Sequence, residues 1–112
     1  MSSIESENYQ VNSQQGEIMI KGILRLNGLD EYQPIVDILE EQLFSSDKLT
    51  LNLKELKFLN SSGIAMLSKF VINVRKSESK KLTIIGSKNE LWQGKSLINL
   101  KRLFPALELI IE

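Results

Sequence analysis

Leucine takes every second position of the stretch Leu49-Thr50-Leu51-Asn52-Leu53, with polar residues between. This alternation predicts a strand with one buried face. After Gly63 the period changes, and Ile64, Leu67, Val71 and Val74 recur at the spacing of one helix face, predicting a helix that reaches about Ser77. Asn60-Ser61-Ser62-Gly63 sits between the two patterns, and its residue types cap helices by accepting hydrogen bonds from the first free amides. A loop that presents two hydroxyls at a helix N-terminus can host chemistry, because the amides and the positive dipole end favour an anion such as phosphate.

The flanking segments follow the same logic. Residues 1–8 are polar and are expected to fray, with the folded domain beginning at residue 9. Tyr9 and Val11 start a short strand, 12–16 reads as a turn, and 17–26 reads as a second strand. There Ile18, Ile20, Leu24 and Leu26 share a side, and Gly22 marks a bulge or a close approach. Together the two strands make a hairpin. Asn27-Gly28 breaks the pattern, Asp30 is the expected N-cap, and Pro34 falls in a first helical turn ahead of Ile35, Ile38, Leu39 and Leu43. The opposite face of this helix carries Asp37, Glu40 and Glu41 and reads as solvated.

Leu82-Thr83-Ile84-Ile85 is a short strand ending at Gly86, and Ser87-Lys88-Asn89-Glu90 has the spacing of a capping box that opens a last helix. Gly94 interrupts that helix, Asn99 is its expected end, Leu103-Phe104-Pro105 turns the chain, and 107–111 closes it as a strand. The predicted core sets Ile64, Leu67, Val71 and Val74 against Leu51, Leu53, Ile84 and Ile110. Met66 and Phe70 lie one turn apart off that stripe, and Trp92 is off the stripe of its own helix. Met66 and Phe70 either pack against a neighbouring helix or mark a partner-binding surface, and Trp92 either packs at the helix–sheet margin or contributes to partner binding.

Strands that alternate with helices predict an α/β fold: a mixed, mostly parallel sheet with helices packed on it and an antiparallel hairpin at its start. Function in such sheets gathers at the carboxyl ends of strands, where the 60–63 loop falls. The length of 112 residues suits a single domain. Lys+Arg 14 against Asp+Glu 14 leaves no net charge, which argues against a nucleic-acid partner. Zero cysteines and zero histidines exclude thiolate catalysis, the Ser–His arrangement and the commonest metal ligands. No apolar run approaches a membrane span and no secretory signal is evident. The expectation is a cytoplasmic, non-enzymatic protein with no metal and no cofactor.

The order of elements and the central motif resemble the STAS domain, and within it the bacterial anti-sigma factor antagonists. The resemblance covers the chain from about Glu17. It is strongest over Leu51-Asn-Leu-Lys-Glu-Leu-Lys-Phe-Leu-Asn-Ser-Ser-Gly-Ile-Ala-Met-Leu67, where the family has an apolar strand, then Asp-Ser-Ser-Gly, then a helix. Asn99-Leu-Lys-Arg-Leu-Phe-Pro105 is similar to the family's Gly-Leu-x-x-Leu-Phe-Pro, and Gly22-x-Leu24 to its Gly-Glu-Leu-Asp. The resemblance implies a partner-switching module, with Ser61 phosphorylated by a serine kinase that is also an anti-sigma factor, and reset by a PP2C-type phosphatase. Asn60, Ser61, Ser62 and Gly63 form the implied switch loop, and Met66, Phe70 and Trp92 are candidates for partner binding.

Three departures accompany the resemblance. Asn60 stands where the family has aspartate, Arg25 stands where it has an acid, and its final helix after the last strand is absent from this sequence. The residues themselves leave two other readings open. One is a constitutive binding or scaffold domain whose serine only caps a helix, and the other is a small-ligand sensor.

Overall fold

The computed structural model describes residues 2–112. Seven strands and three helices follow in the order β1 (Ser2–Glu5), β2 (Tyr9–Gln14), β3 (Glu17–Leu24), α1 (Gly28–Ser45), β4 (Lys48–Asn52), β5 (Leu56–Leu59), α2 (Ser61–Lys76), β6 (Lys81–Gly86), α3 (Leu91–Leu103) and β7 (Glu108–Ile111). They build one mixed sheet in the order β1-β2-β3-β4-β6-β7, with β5 also pairing β3. The first three strands are antiparallel, and every later pairing is parallel. The expected α/β fold with its opening hairpin is the observed one.

Period-two patterning decides which face of the sheet is buried. Ile18, Ile20, Leu49, Leu51, Leu82 and Ile84 are all buried, while their neighbours Thr50, Asn52 and Thr83 stay half-exposed. Parallel strands are usually covered on both faces, but the polar residues between these leucines suit the opposite face to solvent. Leu67, Val71 and Val74 of α2 pack into the buried side, as expected. Ile64 is only half-buried and Ile110 is 37% exposed. In β7 it is Leu109 and Ile111 that pack against the core, so the strand presents the other set of its apolar residues.

The structure corrects several element boundaries. Residues 2–5, expected to fray, form an edge strand, with Ile4 opposite Val11; Met1, also in that stretch, lies outside the described residues. The stretch before Asn60 is a strand of its own, β5, which the sequence reading leaves unassigned. Gly22 has φ +99, and the β3–β5 register shifts between it and Ile23, the bulge its position predicts. Helix α1 has Asn27, not Asp30, at its N-cap position, without a side-chain capping bond, which places Pro34 beyond the first turn. Helix α3 starts at Leu91 and runs through Gly94 past Asn99 to Leu103. The proposed capping serine, Ser87, instead accepts from the Asn89 amide at 3.1 Å as part of a turn.

Candidate functional site

Strand β5 delivers Asn60 to the mouth of α2, its amide donating back to the Leu24 carbonyl at 3.2 Å. Asn60 is the N-cap residue, in extended conformation, and its side chain is fully used. Oδ1 accepts from the Gly63 amide at 3.0 Å and from the Tyr32 hydroxyl at 2.6 Å, while Nδ2 donates to the Leu26 carbonyl at 2.8 Å. One amide group thereby ties α1, the β3–α1 connection and the first turn of α2 together. Gly63 completes the fit, because a Cβ there would run into the Leu59 side chain and lie 2.7 Å from the Tyr32 hydroxyl.

This arrangement changes the reading of the serines. The cap is made by Asn60, so neither Ser61 nor Ser62 is needed for it. Among the described residues neither hydroxyl makes a hydrogen bond. Ser61 is exposed and Ser62 half-exposed. No acidic residue lies in the first turn of α2, so an added anion would meet the dipole end without a carboxylate on that turn. Tyr32 is fully buried beneath the loop, and burial raises its hydroxyl above the ordinary tyrosine range, the nearby Leu26 backbone opposing the shift.

The three candidate partner-binding residues sit differently. Met66 and Phe70 are 2% and 4% exposed and fill the seam between α1 and α2. They are mainly core residues, and only their edges reach the floor of the depression between the two helices. Trp92 packs partly against the core, and its indole Nε1 donates to the Leu56 carbonyl at 3.1 Å. The remainder of its ring is accessible. Arg25, which departs from the family's acid, lies 4.6 Å over the Phe58 ring on the strand leading to the loop, an arrangement favoured by the ring's negative face.

Two supporting residues escape the sequence reading. Gln93 is completely buried, accepting from the Ser87 amide at 2.8 Å and donating to the Leu53 and Leu56 carbonyls at 2.6 and 3.0 Å. It pins the β4–β5 connection and so the base of the strand that carries Asn60. Its signal was a polar residue in helical step with Leu97 and Leu100, both buried. Tyr32 likewise continues the Ile35 and Leu39 stripe one turn earlier.

The described residues contain no group of His, Cys, Asp or Glu placed to hold a metal ion, and no helix long and apolar enough to cross a membrane. No protein-family model and no curated protein matches the sequence. Solved structures do match the fold. The chain is similar to SiaC from Pseudomonas aeruginosa, in a crystal structure of the diguanylate cyclase SiaD in complex with its activator SiaC: TM-score 0.76, 12% identity, 99% of this chain and 98% of that one. SiaC of Pseudomonas aeruginosa in another structure gives 0.72 at 14% identity, over 100% and 98%. The Bacillus cell fate determinant SpoIIAA in its phosphorylated form gives 0.61 at 14% identity, over 93% and 90%. The fold of this chain is therefore STAS-like, the fold it shares with SiaC and SpoIIAA.

Proposed function

We propose that this chain is a regulatory protein-interaction module that switches partners when Ser61 accepts a phosphate. The observation that carries this reading is the division of labour in the loop: Asn60 makes the helix cap, leaving the exposed Ser61 hydroxyl uncommitted. A phosphate there would meet free amides and a helix dipole on its own side. Toward a docked partner it would add close to two negative charges that the interface must desolvate or neutralise. A structural neighbour, SpoIIAA, was solved in phosphorylated form, which supports the reading. The matching reagents are a serine kinase of the anti-sigma type and a PP2C-type phosphatase. The accessible side of Trp92, on the helix whose neighbour Gln93 pins the β4–β5 connection, would form part of the docking surface.

A second reading is supported by Asn60 itself, which places no charge beside the acceptor, and by the neighbour SiaC, solved as an activator bound to the enzyme SiaD. On this reading the chain docks constitutively on a partner and activates it, without phosphate. Mass spectrometry of the protein purified from its native cells separates the two. Phosphate on Ser61 that is removed by a metal-dependent phosphatase supports switching. A protein isolated with its partner and never carrying phosphate on Ser61 supports constitutive docking.

A further inference from the structure

Helix α1 presents a stripe that its packing leaves uncovered. Leu29, Val36 and Leu43 are spaced by one heptad. Leu29 is 47% exposed, Val36 and Leu43 are half-buried, and Phe44 beside them is 86% exposed. The stripe borders two depressions along the α1–α2 seam that share Glu40 and Asn73 and so form one groove. From Leu29 to Phe44 the helix rises roughly 22 Å, which is about four turns.

The walls of the groove differ in charge. The α1 wall contributes Glu40 and the α2 wall Lys69. The other acids of α1 and cations of α2 do not line the groove, Glu41 accepting from the Ser2 hydroxyl and Arg75 donating to the Leu103 carbonyl. Among the described residues neither Glu40 nor Lys69 makes an ion pair, so both are unspent; Lys80, which lines the Phe44 end of the groove, pairs with Asp47 at 3.4 Å. We propose that this groove docks an amphipathic helix of a different protein, with an apolar stripe, basic residues on the flank facing α1 and acidic residues on the flank facing α2. A helix reversed in the groove exchanges its flanks, so the charge pattern sets the direction in which the partner lies. A second copy related by a two-fold axis across the groove would set Glu40 against Glu40 and Lys69 against Lys69; an axis along the groove would set each against the other, and the oligomeric state tests for that dimer.

The inference does not require Ser61 to accept a phosphate. Its test uses the full chain and a labelled synthetic helix with leucines at heptad spacing, lysines along one flank and glutamates along the other. The control peptide has glutamates on both flanks, and binding is read by fluorescence anisotropy. The mixed peptide should bind at least tenfold more tightly than the acidic one. Leu29→Glu and Phe44→Glu should each weaken it tenfold or more while thermal melting stays unchanged, since both side chains are exposed. Glu40→Lys should reverse the preference toward the acidic peptide, and Ser61→Ala should bind like the parent. Unchanged binding in both stripe variants, or an unchanged preference in Glu40→Lys, would overturn the proposal. So would loss of binding in Ser61→Ala, which places the peptide on the loop. A dimer in light scattering that Phe44→Glu dissociates would assign the groove to a second copy instead.

Discussion

The buried hydroxyl of Tyr32 donates to Asn60 Oδ1 over 2.6 Å, joining α1 to the N-cap of α2. The same oxygen caps α2 through the Gly63 amide, so the position of the candidate acceptor loop depends on a tyrosine from α1. Removing that hydroxyl should loosen the loop without emptying the core. Tyr32→Phe should cost roughly 0.5–1.5 kcal/mol in denaturant unfolding, the net value of one hydrogen bond. Amide exchange at Gly63 should accelerate more than exchange in β6. Equal acceleration in both would show a general loss of stability instead.

The raised hydroxyl of Tyr32 also gives stability a pH dependence. The folded protein holds this proton to higher pH than the unfolded chain, whose tyrosine titrates near 10.0. In the window above that value the native state binds more protons, so stability falls as pH rises. Below it the contribution is fully present. Urea unfolding from pH 8 upward should show a decline beginning near 10 that is smaller in Tyr32→Phe. Superimposable declines would mean that Tyr32 is not the group responsible.

Asn60 is matched to its surroundings as an amide. A carboxylate there keeps its bonds from Gly63 and Tyr32 but turns an oxygen toward the Leu26 carbonyl, where Nδ2 now donates at 2.8 Å. That loss is worth about 1–3 kcal/mol for a part-buried acceptor left unpaired. The helix dipole returns about 0.3–1 kcal/mol. Asn60→Asp should therefore be net destabilising near neutral pH, measured by chemical denaturation. A more stable variant would show that the dipole outweighs the Leu26 contact.

The sequence makes some of this legible and hides the rest for physical reasons. The β4 alternation and the α2 stripe are read directly, because each element shows one face to the core over its whole length. Strand β5 is not, since its burial runs buried-exposed-exposed-buried: a bulge opposite Gly22 and Ile23 inserts a residue and breaks the period of two. In β7 three consecutive apolar residues make the buried face ambiguous, and Ile110 turns outward. The loop offers Asn60, Ser61 and Ser62, all good caps by type. Tyr32 and the Leu26 carbonyl, both distant in sequence, hold Asn60 in that role.

Gln93 offers a test of how the loop is supported from below. Gln93→Leu keeps the bulk but withdraws the partner of the Ser87 amide and donors to two carbonyls. The expected cost is roughly 1–3 kcal/mol, from polar groups left buried without partners. The neighbouring Trp92 shares the Leu56 carbonyl with it, so the fluorescence maximum of the folded protein should shift. An unchanged spectrum with unchanged stability would mean that the β4–β5 connection holds itself.

Ser61 separates fold from switching. It is the first residue of α2, exposed, on a turn with no acidic side chain. A negative charge placed there meets the free amides at the helix start, and the interaction is worth about 0.3–1 kcal/mol in favour of the folded state. Ser61→Asp should then melt at or slightly above the parent temperature, with unchanged circular dichroism, and added salt should shrink the difference. Ser61→Ala should melt like the parent, because the cap belongs to Asn60. Against a partner recovered from native cells the order should reverse. Calorimetric titration should give parent-like affinity for Ser61→Ala and at least tenfold weaker binding for Ser61→Asp, a difference of about 1.4 kcal/mol. Equal affinities would remove Ser61 from the interface. A Ser61→Asp protein that binds weakly because it is partly unfolded would fail the melting test first, so stability and binding are read on the same samples.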